Sequence, residues 1–203
     1  MINVGSVPIE EFESFYSWRS DPYDMHGRWY EERKRALTVA ALSQVQYQRG
    51  VEMAAGEGAL TRQLAPRCRE LLATDGSTTA VQRASRNLRD LHNVTLAHHV
   101  IPEPLPGSNY DLAVVAEVGY FLGHDDLRRM LDDLVPRIDP GGELLAVHWR
   151  HSSEDYPGTG PQVHEAFHRD ARLERLNHHE DSDFILDSWI RVESALQRTS
   201  APS

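Results

Sequence analysis

Val51-Glu52-Met53-Ala54-Ala55-Gly56-Glu57-Gly58-Ala59-Leu60-Thr61 decides the fold. A short strand over 50–54 runs into Gly56-Glu57-Gly58, and a helix over 59–65 follows, with Pro66 marking its end. Small residues at a sharp strand-to-helix turn let a ligand come close to the backbone. Gly56 and Gly58 supply conformational freedom and the missing side chains. An ordinary tight turn would read the same way in isolation, so the surroundings must decide.

Working outward, strand and helix alternate. A second strand over 70–75 is closed by Gly76-Ser77, and helical spacing follows over 79–91. A third strand spans 94–97. After the proline-rich turn 102–109 comes the apolar run 111–116, which fits a strand buried on both faces. An amphipathic helix over 127–138 stops at Asp139-Pro140-Gly141-Gly142, and 143–148 is a fifth strand. This alternation predicts a parallel sheet with right-handed crossovers. Upstream, 29–42 reads as a helix turning Leu37, Ala40, Ala41 and Leu42 toward a core, behind a lid. Downstream come an acidic loop, a helix near 162–168 and two close strands, 173–177 and 184–192, which suggest an edge hairpin. The tail over 195–203 reads as frayed. The expected fold class is therefore α/β: one Rossmann-like domain over 1–203 with a mostly parallel, doubly wound sheet and a C-terminal antiparallel edge hairpin. Within it, 1–42 is lid and helix, 48–150 a cofactor-binding core, and 151–195 a substrate-side loop, helix and edge strands.

Composition narrows the functions. A chain of 203 residues can bury one sizeable core without staples. Cys68 is the single cysteine, so neither a disulfide framework nor a C-x-x-C metal site can be built, and a cytoplasmic location fits best. No basic start followed by an apolar run opens the sequence, and no stretch approaches the roughly 18 apolar residues of a membrane span. A net charge of −10 would repel a phosphate backbone. The expected partner is a small molecule, with no nucleic acid and no membrane, bound by a monomer or a homodimer.

Asp75, at the end of the second strand, stands where a carboxylate can accept hydrogen bonds from a ribose diol. A helix N-cap is its plainer use, which Ser77 can perform equally well. Dinucleotide-binding turns want a third glycine, and here that position is Thr61. Glu52, ahead of the turn, would repel a pyrophosphate and suits a ligand carrying an ammonium and a sulfonium.

Glu52-x-Ala54-x-Gly56-x-Gly58, Asp75, the Tyr110-Asp111-Leu112 start of strand four, Leu134-x-Pro136 and Pro140-Gly141-Gly142 resemble the successive motifs of class I S-adenosylmethionine-dependent methyltransferases. More narrowly, Trp29-Tyr30-Glu31-Glu32-Arg33, Ala116-Glu117-Val118-Gly119-Tyr120 and Val147-His148-Trp149-Arg150-His151 resemble the nodulation-protein-S-like branch, which N-methylates an amino sugar. The resemblance implies S-adenosylmethionine as cofactor. Ala54, Gly56 and Gly58 would line its methionine part, with Glu52 behind and Thr61 and Tyr30 nearby. Asp75 would hold the ribose, Gly76 and Ser77 would sit beside the adenine, and Glu117 and Val118 would face the sulfonium. Where the family places an acid against the adenine amino group this sequence has His99, whose ring nitrogen, or the Val100 amide, can take that part.

An amine must be neutral to attack a methyl group, so a proton-accepting side chain near the carboxyl edge of the sheet is useful. His148 is the first candidate, a core imidazole being the competing reading, with His151 and Tyr120 as alternatives. Trp149, Arg150, Asp155 and Tyr156 are expected on the substrate side, with Arg150 facing Glu117, Asp155 or a substrate oxygen. Tyr23 is expected to stack from the lid. The eleven histidines form no helical His-x-x-x-His pair, and no metal is expected. The leading reading is N-methylation of an amino sugar or similar small amine. O-methylation of a hydroxyl or acid and catalytically silent cofactor binding are the alternatives.

Overall fold

The computed structural model describes residues 5–18 and 28–193. Seven strands, β1 (Tyr47–Met53), β2 (Cys68–Asp75), β3 (Val94–His98), β4 (Tyr110–Ala116), β5 (Ile138–Trp149), β6 (Leu173–Glu180) and β7 (Phe184–Arg191), form one sheet in the order β3-β2-β1-β4-β5-β7-β6. Strands β1 to β5 are parallel, and β7 pairs antiparallel with both β5 and β6. The expected edge hairpin is present, folded so that its second strand lies inside. Six helices pack on the sheet: α1 (Ile9–Trp18), α2 (Trp29–Ala40), α3 (Ala59–Leu64), α4 (Thr78–Asn87), α5 (His124–Leu134) and α6 (Gly160–His168).

The strand alternation of two sorts the core into faces. Val51, Met53, Ala113, Val115, Leu144 and Ala146 meet α5 and α6 through Leu131, Leu134, Val163 and Phe167. Leu112, Val114 and Leu145 point the other way, onto Leu60 and Leu64 of α3 and the Leu42 turn. Strand order reverses between β1 and β4, and in an open parallel sheet a ligand binds outside the carboxyl ends at such a point.

Three departures from the sequence reading matter here. The segment taken as a lid contains α1, which docks on α4 where Glu13 accepts from the Ser77 and Thr79 hydroxyls. The Asp139-Pro140-Gly141-Gly142 stop lies inside β5, absorbed as a register irregularity opposite Tyr110 and Leu112. On α2, Leu37 is half-buried and Ala40 exposed, whereas the buried residues are Glu31, Lys34, Arg35 and Thr38. Their i, i+3, i+4, i+7 spacing is that of a core-facing stripe, built here from polar groups.

Candidate active site

At the carboxyl ends of β1, β2 and β4 lies a cavity of about 510 Å³, within the range of small-molecule sites, closed from above by α1 and α2. Its end beside β1 and β2 is made by backbone. Ala54 and Gly56 both have positive φ, 55° and 57°, which lifts the turn after β1 toward the ligand. A Cβ on Gly56 would come 2.8 Å from the Tyr16 hydroxyl, so α1 and the turn fit only with glycine there. Asp75 ties the turn down: its carboxylate accepts from Gly56 N at 2.8 Å and Ser77 N at 2.8 Å. Burial is the largest influence on Asp75 and raises its pKa despite those bonds. Gly76, His99 and Val100 line the same end. The His99 Nε2 bonds the Glu103 carbonyl at 2.8 Å, which fixes the proton on Nε2 of the neutral ring and leaves Nδ1 a buried acceptor with no protein partner.

Three residues placed here by the sequence reading do other work. Gly58, with φ of 85°, does not line the cavity, and its missing side chain makes room for Leu88. Thr61 is fully buried beneath the turn. Ser77, also fully buried, caps α4 by accepting from Ala80 N at 3.1 Å.

Beside Glu52 the cavity is ionic. Glu52 lines the cavity at 1% exposure with Oε2 unpartnered, and burial pushes its carboxyl up to about 8. Arg35, also buried and lining the cavity, leaves Nη1 without a hydrogen-bond partner, with Glu31 at 3.9 Å as an ion-pair neighbour. Sequence reasoning missed this arginine. The signal was its place on the buried stripe of α2, which looks like a solvated charged helix until its partners are known.

The end beside β4 gathers around Glu117, which lines the cavity with Val118 and Tyr120. Glu117 holds φ of 54°, uncommon for a residue with a Cβ. Its carboxylate receives Lys34 Nζ at 2.5 Å, the Tyr120 hydroxyl at 2.6 Å and Trp149 N at 2.9 Å. Lys34 also meets Glu31 at 3.0 Å and lies over the Tyr30 ring at 4.6 Å. The Tyr30 hydroxyl is buried and unpartnered, and burial followed by the neighbouring acids raises its pKa. Tyr156 stacks on Tyr120, centroids 5.4 Å apart, and both reach the cavity with Trp149 and Phe121 as an aromatic wall.

His148 does not reach it. The side chain is fully buried, Nε2 accepts from Gly119 N at 3.1 Å, and Nδ1 pairs with His164 Nε2 at 3.0 Å. Both ring nitrogens are occupied by protein groups, so His148 is a core imidazole and not the expected base. Arg150 turns away from the cavity to Glu180 at 2.5 Å and the Asp181 carbonyl at 2.7 Å, not to Glu117 or Asp155. His151, half exposed, sits 3.5 Å from Asp183. Asp155 is exposed on the following loop, away from the cavity, and Tyr23 lies outside the described residues. Among the described residues no group of three or more His, Cys, Asp or Glu is placed to hold a metal ion, and no helix is long and apolar enough to cross a membrane.

With this geometry in view, four similarities are informative. The methyltransferase domain family (Methyltransf_12) matches residues 51–144. A crystal structure of a putative methyltransferase from Pseudomonas syringae is 37% identical, covering 81% of this chain and all of that one, with a TM-score of 0.72. Nodulation protein S of Rhizobium tropici is 28% identical over 127 residues, 62% of this chain and 53% of its own length. The chain thus spans about half the length of the curated relatives it matches. The fold of the N-methyltransferase NodS from Bradyrhizobium japonicum WM9, solved with S-adenosyl-L-homocysteine, superposes with a TM-score of 0.83 over 91% of this chain and 99% of that one, at 22% identity. This chain belongs to the class I S-adenosylmethionine-dependent methyltransferases. Among the relatives reported it is similar to nodulation protein S, and S-adenosylmethionine is the cofactor of the class.

Proposed function

We propose that this protein N-methylates a small amine, an amino sugar being the first candidate. The carrying observation is the Glu117 seat. A carboxylate at the end of β4 already holds one ammonium, that of Lys34, with a tyrosine hydroxyl beside it and an aromatic wall facing it. A site of this composition favours a cationic or hydroxyl-rich acceptor over an anionic one. The similarity to nodulation protein S supports the same reading.

When bound, S-adenosylmethionine supplies an electrophilic methyl group on a sulfonium sulfur. The chain's residues fit it at four points. Arg35 would take the methionine carboxylate with Nη1, Glu52 would accept from the ammonium and release its buried proton as that charge arrives, Asp75 would accept from the ribose diol and His99 Nδ1 from the adenine amino group. Each of the first, second and fourth offers a buried polar atom with no hydrogen-bond partner in the protein, a costly state that a ligand relieves. On the acceptor side Glu117 and Tyr120 orient the amine. The proton that the amine nitrogen sheds on methylation would pass to Glu117 or to water. Alignment of this kind can contribute roughly 7 to 11 kcal/mol.

The test is methyl transfer from labelled donor to a partially deacetylated chitin oligosaccharide and to its fully acetylated counterpart. Labelling of the first alone supports amine methylation. Labelling of both, or of hydroxyl acceptors only, moves the reaction to oxygen.

A further inference from the structure

Behind the acceptor end of the cavity runs a line of hydrogen bonds that takes no part in the transfer. It starts at Gly119 N, passes through His148 and His164, and ends on Asp187 of β7, with steps of 3.1, 3.0 and 2.6 Å. His148 is fully buried, and His164 and Asp187 are 3% and 2% exposed. The chemistry of the two ends orders everything between them. An amide can only donate, so His148 Nε2 accepts and its proton sits on Nδ1. That proton goes to His164 Nε2, which places the His164 proton on Nδ1, where the carboxylate accepts it. One arrangement of protons satisfies every partner. Since the line ends on an amide donor it cannot deliver a proton to the cavity, so it holds something in place.

What it holds is the turn that follows β4. Glu117 is kept in a left-handed conformation there, and its neighbours pack without slack: a Cβ on Gly119 would come 3.2 Å from His148 Nε2 and closer still to Val163. Asp187 is braced from outside by His178 Nδ1 at 2.7 Å, with Arg175 at 4.0 Å. We infer that Asp187, His164 and His148 form a positioning line that fixes the Glu117–Tyr120 turn, and with it the seat of the acceptor. The inference rests on the reading that the acceptor binds at Glu117.

Three variants test it. Asp187→Asn offers His164 a donor as well as an acceptor and so removes the preference for one tautomer. His148→Gln keeps an acceptor for Gly119 and a donor for His164, whereas His148→Leu keeps only bulk. The first readout needs no acceptor: hydrogen exchange at the Gly119 amide should quicken about tenfold or more in Asp187→Asn and His148→Leu and stay near wild type in His148→Gln. The second is turnover of the deacetylated oligosaccharide. There kcat should fall at least about tenfold in the two damaged variants and largely recover in His148→Gln, with S-adenosylhomocysteine affinity within about twofold throughout. Unchanged Gly119 exchange in folded His148→Leu overturns the positioning role, as does equal damage in His148→Gln and His148→Leu. If wild type fails to methylate the oligosaccharide, the amine reading falls while the exchange comparison still decides the line. Should Asp187→Asn not fold, the His148 pair carries the test.

Discussion

The two halves of the cavity are built by opposite means. The nucleoside half is backbone: a positive-φ turn, one strand-ending carboxylate and two amides tied to it, all within Met53 to Ser77. The acceptor half is side chains from α2, the turn after β4, β5, α6 and β7, joined through Glu117 on one side and His148 on the other. A contiguous site tolerates little change in shape but accepts changes of charge around it. A dispersed one depends on every member keeping its protonation state.

The comparison can be broken first at the glycine turn. Gly56→Val puts a branched side chain on a positive φ beside Tyr16 and should abolish S-adenosylhomocysteine binding in calorimetry, by more than about 100-fold. Normal binding would separate the turn from the ligand. Glu117→Gln should leave that affinity close to wild type and lower kcat by about 10² to 10⁴ if the carboxylate takes the proton, measured with the deacetylated oligosaccharide. Arg35→Met and Asp75→Ala should each weaken S-adenosylhomocysteine by roughly 1.5 to 3 kcal/mol, the usual loss for a hydrogen bond to a charged group. Equal affinity in folded Arg35→Met would leave its free Nη1 without a function.

A sharper contrast lies in pH. Glu52 carries a folded pKa of about 8 against an ordinary 4.5, so between those values the folded protein keeps a proton the unfolded chain releases. Its contribution therefore makes stability fall as pH rises through that window, by at most about 1.4 kcal/mol per pH unit. Burial above all drives His148 well below 6.5, so below that pH the unfolded chain takes a proton the folded one refuses. Its contribution falls as pH drops. Denaturant unfolding from pH 5 to 8 should show the acid loss steepen in Glu52→Gln and flatten in His148→Gln, and parallel profiles for the two would refute the assignment. The smallest expected effect is Ser77→Ala, about 1 kcal/mol of stability through the lost cap with little change in cofactor affinity. A large affinity loss would return Ser77 to the ligand.

The nucleoside half was legible in the sequence because it is local. Glycine spacing and Asp75 at a strand end state their own geometry, and strand alternation placed them at one edge. Gly58 and Ser77 were misread as ligand groups for the same reason: a motif does not say which of its members packs and which faces out. The acceptor half was hidden. Glu31, Lys34 and Arg35 sit at core spacing, yet three charges on one helix face suggest solvent until Glu117 arrives from 83 residues beyond Lys34. His148 shares the face of Leu144 and Ala146 along β5, which already argued for the interior. Nothing near it in the chain announces His164 or Asp187.

That line of imidazoles also gives the molecule a built-in reporter. The His148 and His164 ring protons on Nδ1 are each shared with a buried acceptor that water does not reach, so both should persist as slowly exchanging signals far downfield in a proton spectrum of the folded protein in ordinary water. Each nitrogen has a fixed role, and a nitrogen-15 correlation will tell donor from acceptor directly. Adding an acceptor that presses on the Gly119 turn should displace the His148 signal first and the His164 signal less, while a nucleoside bound at the far end should leave both in place.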